Sequence, residues 1–332
     1  MDVGVSLSLV GVPLRDAVAL ARRAEANGAA LITVGEVAFD SFAVATAIAL
    51  ATEQVPLMTG VTTWTRPPVT TATGALTVAD AAGPGRFTLG LGTMPAHWNR
   101  DHYGIDPSRP IARMREYVAA VRAAMEAHSG RTCEFDGEFF SITGYRRPPV
   151  AMDRVPIGLA VTRPRMAQLC GEIADVAYIN VIHTTPWVRE TLVPAITASD
   201  REVTTGIMVR AAIGDDHVRC LEQLRTSLSL YLTTEYFYEV AAHAGFDLKP
   251  GCSLTDVPLE LVAQMGVYGT PGEIANQLGR YRGLVDWVVL APPAGVELRA
   301  ARDHLEAIID TPWASLIAAE SVPGAPGAGA PV

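Results

Sequence analysis

Lysine and cysteine are scarce in this sequence, and long apolar runs are absent. Lys249 is the only lysine among 26 basic residues, and the net charge is −9. That charge is unfavourable for binding nucleic acid or an anionic membrane surface, so we expect neither partner. No apolar segment is long enough to cross a bilayer, and the N-terminus lacks a basic segment leading into an apolar one. We therefore expect a cytoplasmic protein.

Several common site motifs are also missing. The four cysteines lie far apart and form no CxxC pair, which predicts buried or incidental thiols rather than a disulfide framework. There is no Walker loop, no HExxH, no GxSxG and no complete Rossmann glycine pattern placed before a helix. Asp, Glu and His are not clustered at metal-binding spacing, so we expect no metal site.

Eight short apolar segments alternate with helix-like segments along the chain, and they predict eight parallel strands. These segments are 3–9, 30–35, 57–61, 86–92, 155–161, 175–182, 205–213 and 285–290. Such alternation predicts an α/β protein, a (β/α)8 TIM barrel, whose active site lies at the carboxyl ends of the strands. We expect a single domain over residues 1–313.

Three insertions and a tail depart from the repeat. Asp136-Gly137 predicts a tight hairpin within 133–142, and residues 217–268 read as a wholly helical insert. The segment from Met94 to Arg109 reads as a long loop rich in His and aromatic residues, which favours a functional role. The tyrosines of the helical insert can line a pocket or pack in the core. The tail, 321–332, is rich in Pro, Gly and Ala and is expected to be disordered.

The predicted strand ends are mostly apolar with a few polar groups. They carry Glu36, Gly60-Val61, Gly92-Thr93, Ala160-Val161-Thr162 and His183. Such a mouth suits a flat aromatic cofactor, and glycine lets backbone approach a ligand closely. Two alternatives remain, because the glycines could only turn the chain and Glu36 could cap the following helix.

A phosphate site is predicted where a helix opens at Pro164. Arg163 and Arg165 flank this position. Free N–H groups at a helix start favour an anion, and arginine adds a fork of donors. The alternative is that both arginines are solvated surface groups.

With these segments in view, the chain resembles the luciferase-like superfamily of flavin- and deazaflavin-dependent oxidoreductases. The similarity runs from Val3 to about Trp313, and it is closest to the branch like methylenetetrahydromethanopterin reductase. The segments that carry it are 34–42, 57–68, 85–93, 113–125, 135–140, 164–175 and 267–278. The resemblance implies a barrel that binds coenzyme F-420, a deazaflavin, or alternatively FMN, and that commonly forms a homodimer.

The resemblance also implies individual site residues. It places a non-prolyl cis peptide at Gly60-Val61, against the cofactor ring, an acidic residue at Glu36, and a phosphate-binding turn at Ala160 to Met166. The complete set of candidate cofactor-binding residues is Glu36, Thr59, Gly60, Val61, Gly92, Thr93, Ala160, Val161, Thr162, Arg163, Pro164, Arg165 and Met166.

Catalytic groups of many relatives are replaced in this chain. A histidine after the acidic residue is Val37 here, and a glutamate beyond the fourth strand falls at Pro95. We therefore predict Glu36, His97 and His183 as the catalytic residues, with His97 the first choice as proton donor. His102 and Tyr103 are further candidates. The alternative is that the histidines are all solvent-facing or structural.

Three functions follow from the resemblance. The first is hydride transfer between a bound deazaflavin or flavin and a small organic substrate. The second is an FMN-dependent monooxygenase that uses O₂ and receives reduced flavin from a separate reductase. The third is a ligand-binding relative without catalysis or cofactor. The sequence carries no readable code for the substrate.

Overall fold

Eight parallel strands close into a barrel in the computed structural model of this protein. The structure describes residues 1–7, 12–36, 38–127, 131–148 and 154–320. The strands are β1 (Asp2–Ser6), β2 (Ile32–Val34), β3 (Leu57–Thr59), β4 (Thr62–Thr63), β5 (Phe87–Gly92), β6 (Cys133–Asp136), β7 (Ser141–Tyr145), β8 (Ile157–Val161), β9 (Val176–Ile179), β10 (Thr204–Ile213), β11 (Gly266–Gly269) and β12 (Trp287–Ala291). Around the ring the order is β1-β2-β3-β5-β8-β9-β10-β12, and β12 pairs with β1. The predicted (β/α)8 barrel is confirmed.

Helices surround the barrel, and none of those within the described ranges is both long and apolar enough to cross a membrane. They are α1 (Leu14–Ala26), α2 (Ser41–Ala49), α3 (Pro68–Ala82), α4 (Ala96–Tyr103), α5 (Pro110–Met125), α6 (Pro164–Ile173), α7 (Thr185–Trp187), α8 (Val193–Ile196), α9 (His217–Thr226), α10 (Glu235–His243), α11 (Leu259–Met265), α12 (Pro271–Leu278), α13 (Leu298–Asp310) and α14 (Trp313–Glu320). A π-helical stretch, Val188–Leu192, joins α7 to α8.

The third predicted strand is divided in two. β3 ends at Thr59, and β4 begins at Thr62 and pairs with the end of β5. Between them the Gly60-Val61 peptide bond is cis, as predicted. The backbone therefore changes course at the barrel mouth, where the third and fourth barrel strands lie side by side.

The insert 217–268 is not wholly helical. Its last residues form β11, which pairs with the carboxyl-terminal half of β10 from Arg210 to Ile213. The amino-terminal half of β10 pairs instead with β9. β11 was missed because it is only four residues long and has glycine at both ends, which weakens the apolar signal of a strand.

The segment expected to be a long loop contains α4. This helix begins after Pro95 and ends at Gly104, which has the left-handed conformation with φ 65°. Among its residues only Asn99 is buried. A helix with one buried residue shows no apolar periodicity, and this explains why the sequence pattern did not predict it.

The hairpin pairs β6 with β7 and extends to Tyr145, beyond the predicted end at residue 142. Its loop has four residues rather than two, and the Gly137 N–H bonds to the Phe140 carbonyl at 3.0 Å. The carboxylate of Glu116 on α5 accepts the N–H groups of residues 138–140 at 2.7–3.0 Å. A side chain at Gly137 would collide with Glu116, since an added Cβ would lie 2.2 Å from Oε1. This close approach explains the glycine.

The apolar core has two layers. The larger layer lies between the strands and the helices, and a smaller cluster inside the barrel joins Met58, Tyr178 and Val289. α14 extends the fold beyond the predicted domain end at residue 313, because Trp313 and Ile317 are both buried. The predicted disordered tail, 321–332, lies outside the described residues.

Candidate active site at the carboxyl ends of the strands

Small residues form the floor of the barrel mouth. Alternate residues of a strand share one face, and the register of the sheet places Ser6, Gly60, Gly92, Ala160 and Ala291 on the interior face near the strand ends. A Cβ added at Gly92 would lie 2.5 Å from Val61 Cγ2, and one added at Gly60 would lie 3.0 Å from the Thr33 Cβ. Glycine is therefore required by the close packing beneath the mouth. The floor has the low relief that a flat ligand needs.

An ion-pair network borders the mouth after β2. The Arg66 guanidinium donates to Glu36 Oε1 through Nε at 2.9 Å and also through Nη2, and Nη2 donates to Asp40 at 2.6 Å. The other carboxylate oxygen of Glu36 accepts the Thr63 N–H at 3.3 Å. Asp40 also caps α2 by accepting the Ala43 N–H. Glu36 is therefore bound by the segment that follows the cis peptide, and it does not cap the next helix.

These contacts keep the network charged. Burial alone would lower the pKa of Arg66, but the hydrogen bonds to Glu36 and Asp40 raise it above its usual value. Burial would raise the pKa of Asp40, but the Ala43 N–H and Arg66 hold it below the usual range. An arginine held by two carboxylates is a positioning device. The sequence reasoning quoted the segment 57–68 but did not single out Arg66.

Asn99 joins two strand ends beneath the mouth. Its fully buried amide donates to the Thr93 carbonyl at 2.7 Å and to the Pro95 carbonyl at 3.0 Å. Its Oδ1 accepts the indole N–H of Trp64 at 2.7 Å. The turn after β5 is therefore fixed to the segment after β4. Asn99 was missed as a site residue, and a buried amide within an otherwise polar segment is visible only in the structure.

Three predicted cofactor contacts have buried side chains that point away from the mouth. The Thr59 hydroxyl donates to the Gly90 carbonyl at 2.8 Å and accepts the Gly90 N–H at 2.9 Å. Val161 and Met166 belong to the core between strands and helices. Their parity along the strand or their position on α6 explains this, and their predicted side-chain roles in cofactor binding are corrected.

The predicted phosphate site at the start of α6 is partly occupied by protein contacts. Arg163 donates to Glu235 at 3.1 Å and to Glu239 at 3.0 Å, both on α10. Its carbonyl already accepts the N–H groups of Met166 and Ala167. Arg165 is exposed, whereas Thr162 and Pro164 are half-buried. Arg163 is therefore paired rather than solvated, and it already has two carboxylate partners.

His183 has a structural role, which corrects its prediction as a catalytic residue. The ring is fully buried, with Nδ1 2.8 Å from the Asn180 carbonyl and Nε2 3.0 Å from the Tyr281 hydroxyl. Burial lowers the pKa of His183 to about 3. A neutral, enclosed imidazole with both nitrogens engaged cannot exchange a proton with a ligand at the mouth.

The other proton-donor candidates lie on α4. His97, His102 and Tyr103 are exposed, and the Trp98 and His102 rings lie 5.6 Å apart. The structure thus places His97 near the end of β5 and leaves it open to solvent. Its catalytic role stays a prediction. In the described part of the chain, no three His, Cys, Asp or Glu side chains are grouped to hold a metal ion.

Arg210 is a mouth residue that the sequence reasoning missed. It lies on β10 in register with Ala291, and its Nη1 donates to the Pro292 carbonyl at 2.7 Å. The signal was present in the segment 207–213, where one arginine interrupts an apolar strand. A charge in a strand that is buried on both faces calls for a partner or a function.

Comparisons with known proteins agree with this geometry. The sequence profile of the family described as luciferase-like monooxygenase matches residues 1–286. A 5,10-methylenetetrahydromethanopterin reductase of Methanolobus tindarius is 32% identical over 145 residues, which cover 43% of this chain and 43% of that protein. The alignment thus spans less than half of that relative.

Solved structures share the fold over nearly the full length. An F420-dependent secondary alcohol dehydrogenase, solved with an F420-acetone adduct, superposes with a TM-score of 0.75 at 18% identity, covering 95% of this chain and 98% of the other. An EDTA monooxygenase from Chelativorans sp. BNC1 superposes with a TM-score of 0.73 at 15% identity, covering 96% and 94%. At this identity the likeness shows the fold alone. Taken with the profile match, which covers most of the sequence, it follows that the chain belongs to the luciferase-like monooxygenase family of oxidoreductases.

Proposed function

We propose that the protein transfers a hydride between bound coenzyme F-420 and a small organic substrate at the carboxyl ends of the barrel strands. The observation that carries the proposal is the floor of the mouth, where the cis Gly60-Val61 peptide lies beside Gly92 and Ala160. The names of the similar reductase and of the F420-dependent dehydrogenase support the choice of a deazaflavin.

The residues present fit a flat ring. A Cβ at Gly92 would strike Val61, so that only glycine leaves the bulge undisturbed. The ring would lie against Gly60-Val61, with Gly92 and Ala160 beneath its edge. When bound, the deazaflavin supplies a carbon centre that accepts or donates a hydride.

The chain itself supplies position and exclusion of water. Glu36 and Arg66 hold the segment 62–66 in place, and the Trp64–Asn99 hydrogen bond fixes it to the end of β5. The segment between α9 and α11 covers one side of the mouth, where Tyr236 donates to Asn180 at 3.4 Å. Proton delivery is assigned to His97, which is exposed beside the end of β5.

The second candidate function is FMN-dependent monooxygenation with a separate reductase as partner. The fold shared with the EDTA monooxygenase favours keeping it as an alternative. The two functions differ in cofactor and in oxygen use, so that one set of titrations separates them. A protein that binds neither cofactor would match the third hypothesis, a non-catalytic relative.

The test is anaerobic titration of the purified protein with F-420 and with reduced FMN, followed by admission of O₂. We expect F-420 to bind and its fluorescence to be quenched. Gly92→Ala should weaken binding at least tenfold, whereas Gly279→Ala should leave it unchanged, because no atom lies within 4 Å of a Cβ added at Gly279. Thermal unfolding of both variants controls for folding. Tight binding of reduced FMN with O₂ consumption would replace the proposal with the monooxygenase.

A further inference from the structure

Arg210 is a charged residue on the interior face of the barrel. On β10, Ile207, Val209 and Ala211 pack in the core toward the helices, whereas Met208 contacts the cluster inside the barrel. Because strand residues alternate, Arg210 shares the interior face with Met208. Burial raises the pKa of Tyr178, another interior residue, and the positive charge of Arg210 opposes part of that rise.

The guanidinium is only partly used by the protein. Nη1 donates to the Pro292 carbonyl at 2.7 Å, while Nε is buried and has no hydrogen-bond partner. No carboxylate among the described residues lies within 4 Å of the Arg210 nitrogens. A buried donor without a partner costs about 1–3 kcal/mol, so such a group usually has an occupant that completes it.

The geometry of the unused donors indicates what that occupant is. With Nη1 held by Pro292, the Nε–H and Nη2–H groups remain on the other edge of the guanidinium. These two parallel donors match the two oxygens of a carboxylate. A neutral carbonyl would satisfy one of them and leave the positive charge without a counter-ion.

The position of Arg210 indicates which ligand it contacts. In the closed ring of eight strands, β10 is the fourth strand from β3 in either direction, so Arg210 lies across the barrel from Gly60-Val61. A ring placed against Gly60-Val61 leaves the space toward β10 for the substrate. The other mouth arginines are paired, Arg66 with Glu36 and Asp40 and Arg163 with α10.

We propose that Arg210 binds the carboxylate of the substrate through Nε and Nη2, and that the substrates are therefore small organic acids. This inference rests on the proposed function for the reaction, but the anion site itself exists without the cofactor. The Pro292 contact fixes the direction of the fork, and the charge of the site is positive because no carboxylate of the described residues neutralises it.

The experiment measures binding of acetate, benzoate and octanoate, and of their amides, by calorimetry with both the cofactor-free and the F-420-loaded protein. We expect at least one carboxylate to bind tenfold or more tightly than its amide. Arg210→Met should lower that affinity at least tenfold, and Arg210→Lys should restore only part of it, because an ammonium lacks the planar fork. Arg131→Met, which removes an exposed charge, is the control.

The outcomes distinguish this inference from the proposed function. Carboxylate binding to the cofactor-free protein that depends on Arg210, without any F-420 binding, would support the site and reject the reaction. F-420 binding with equal affinities for acids and amides would reject the site and keep the reaction. Unchanged carboxylate affinity in folded Arg210→Met, or no binding of any of the three acids, would overturn the inference.

Discussion

Breaking the Glu36–Arg66 pair tests whether Glu36 positions the mouth. The side chain of Arg66 is 22% exposed and that of Glu36 is 16% exposed, so the pair lies between a surface and a buried ion pair. Exposed pairs contribute about 0–1 kcal/mol, whereas removing one partner of a buried pair costs about 3–5 kcal/mol. We therefore expect Arg66→Met and Glu36→Ala each to lower the free energy of unfolding by about 2 kcal/mol.

A double-mutant cycle isolates the interaction. Urea unfolding of both single variants and the double variant should give a coupling energy of about 1–1.5 kcal/mol, because Asp40 keeps part of the Arg66 charge satisfied in Glu36→Ala. The control is the exposed pair of Arg23 and Asp310, with 41% and 52% exposed side chains, for which we expect little coupling. A Glu36–Arg66 coupling no larger than that of the control would refute the reasoning.

Two further predictions concern stability. The pKa of His183 is lowered to about 3 from its usual value near 6.5, so the unfolded chain binds a proton that the folded one excludes. Its stabilisation is complete above about pH 6.5 and is lost as the pH falls toward 3, by about 1.4 kcal/mol per pH unit. His183→Gln should reduce the slope of unfolding free energy against pH by one proton, and an unchanged slope between pH 6 and 4 would contradict this. Glu116→Ala removes the acceptor of three N–H groups and should cost about 1–3 kcal/mol and speed hydrogen exchange at residues 138–140. The control Glu126→Ala, whose single ion pair spans 3.7 Å, should do neither.

The barrel was predictable because its strands are strongly apolar. Parallel strands buried on both faces read as continuous apolar runs, and all eight runs became strands of the closed ring. The cis peptide at Gly60-Val61 was predicted from resemblance rather than from physics. What a run could not reveal was where it ended, because pairing decides that β3 stops at Thr59 and that a new strand starts at Thr62.

The site was less predictable, since contacts between distant segments decide it. Thr59 and Val161 stand at strand ends like true mouth residues, but the parity of the strand turns their side chains into the core. His183 resembles a catalytic histidine in sequence until the Tyr281 hydroxyl, 98 positions away, is placed against it. Arg210 could have been singled out as a lone charge in an apolar strand, but the unused Nε appears only in the folded chain.

The charges around the mouth fall into two groups that do different work. Arg66 and Arg163 are each held by two carboxylates, so their charges are balanced by the protein, and they fix the segments that carry those carboxylates. An anion at the start of α6 would have to approach Arg163 beside Glu235 and Glu239, and their repulsion opposes the contribution that was expected from this arginine. Arg210 has no such neighbours among the described residues. If an anionic ligand enters this barrel, the free energy of charge pairing therefore favours β10 over the start of α6.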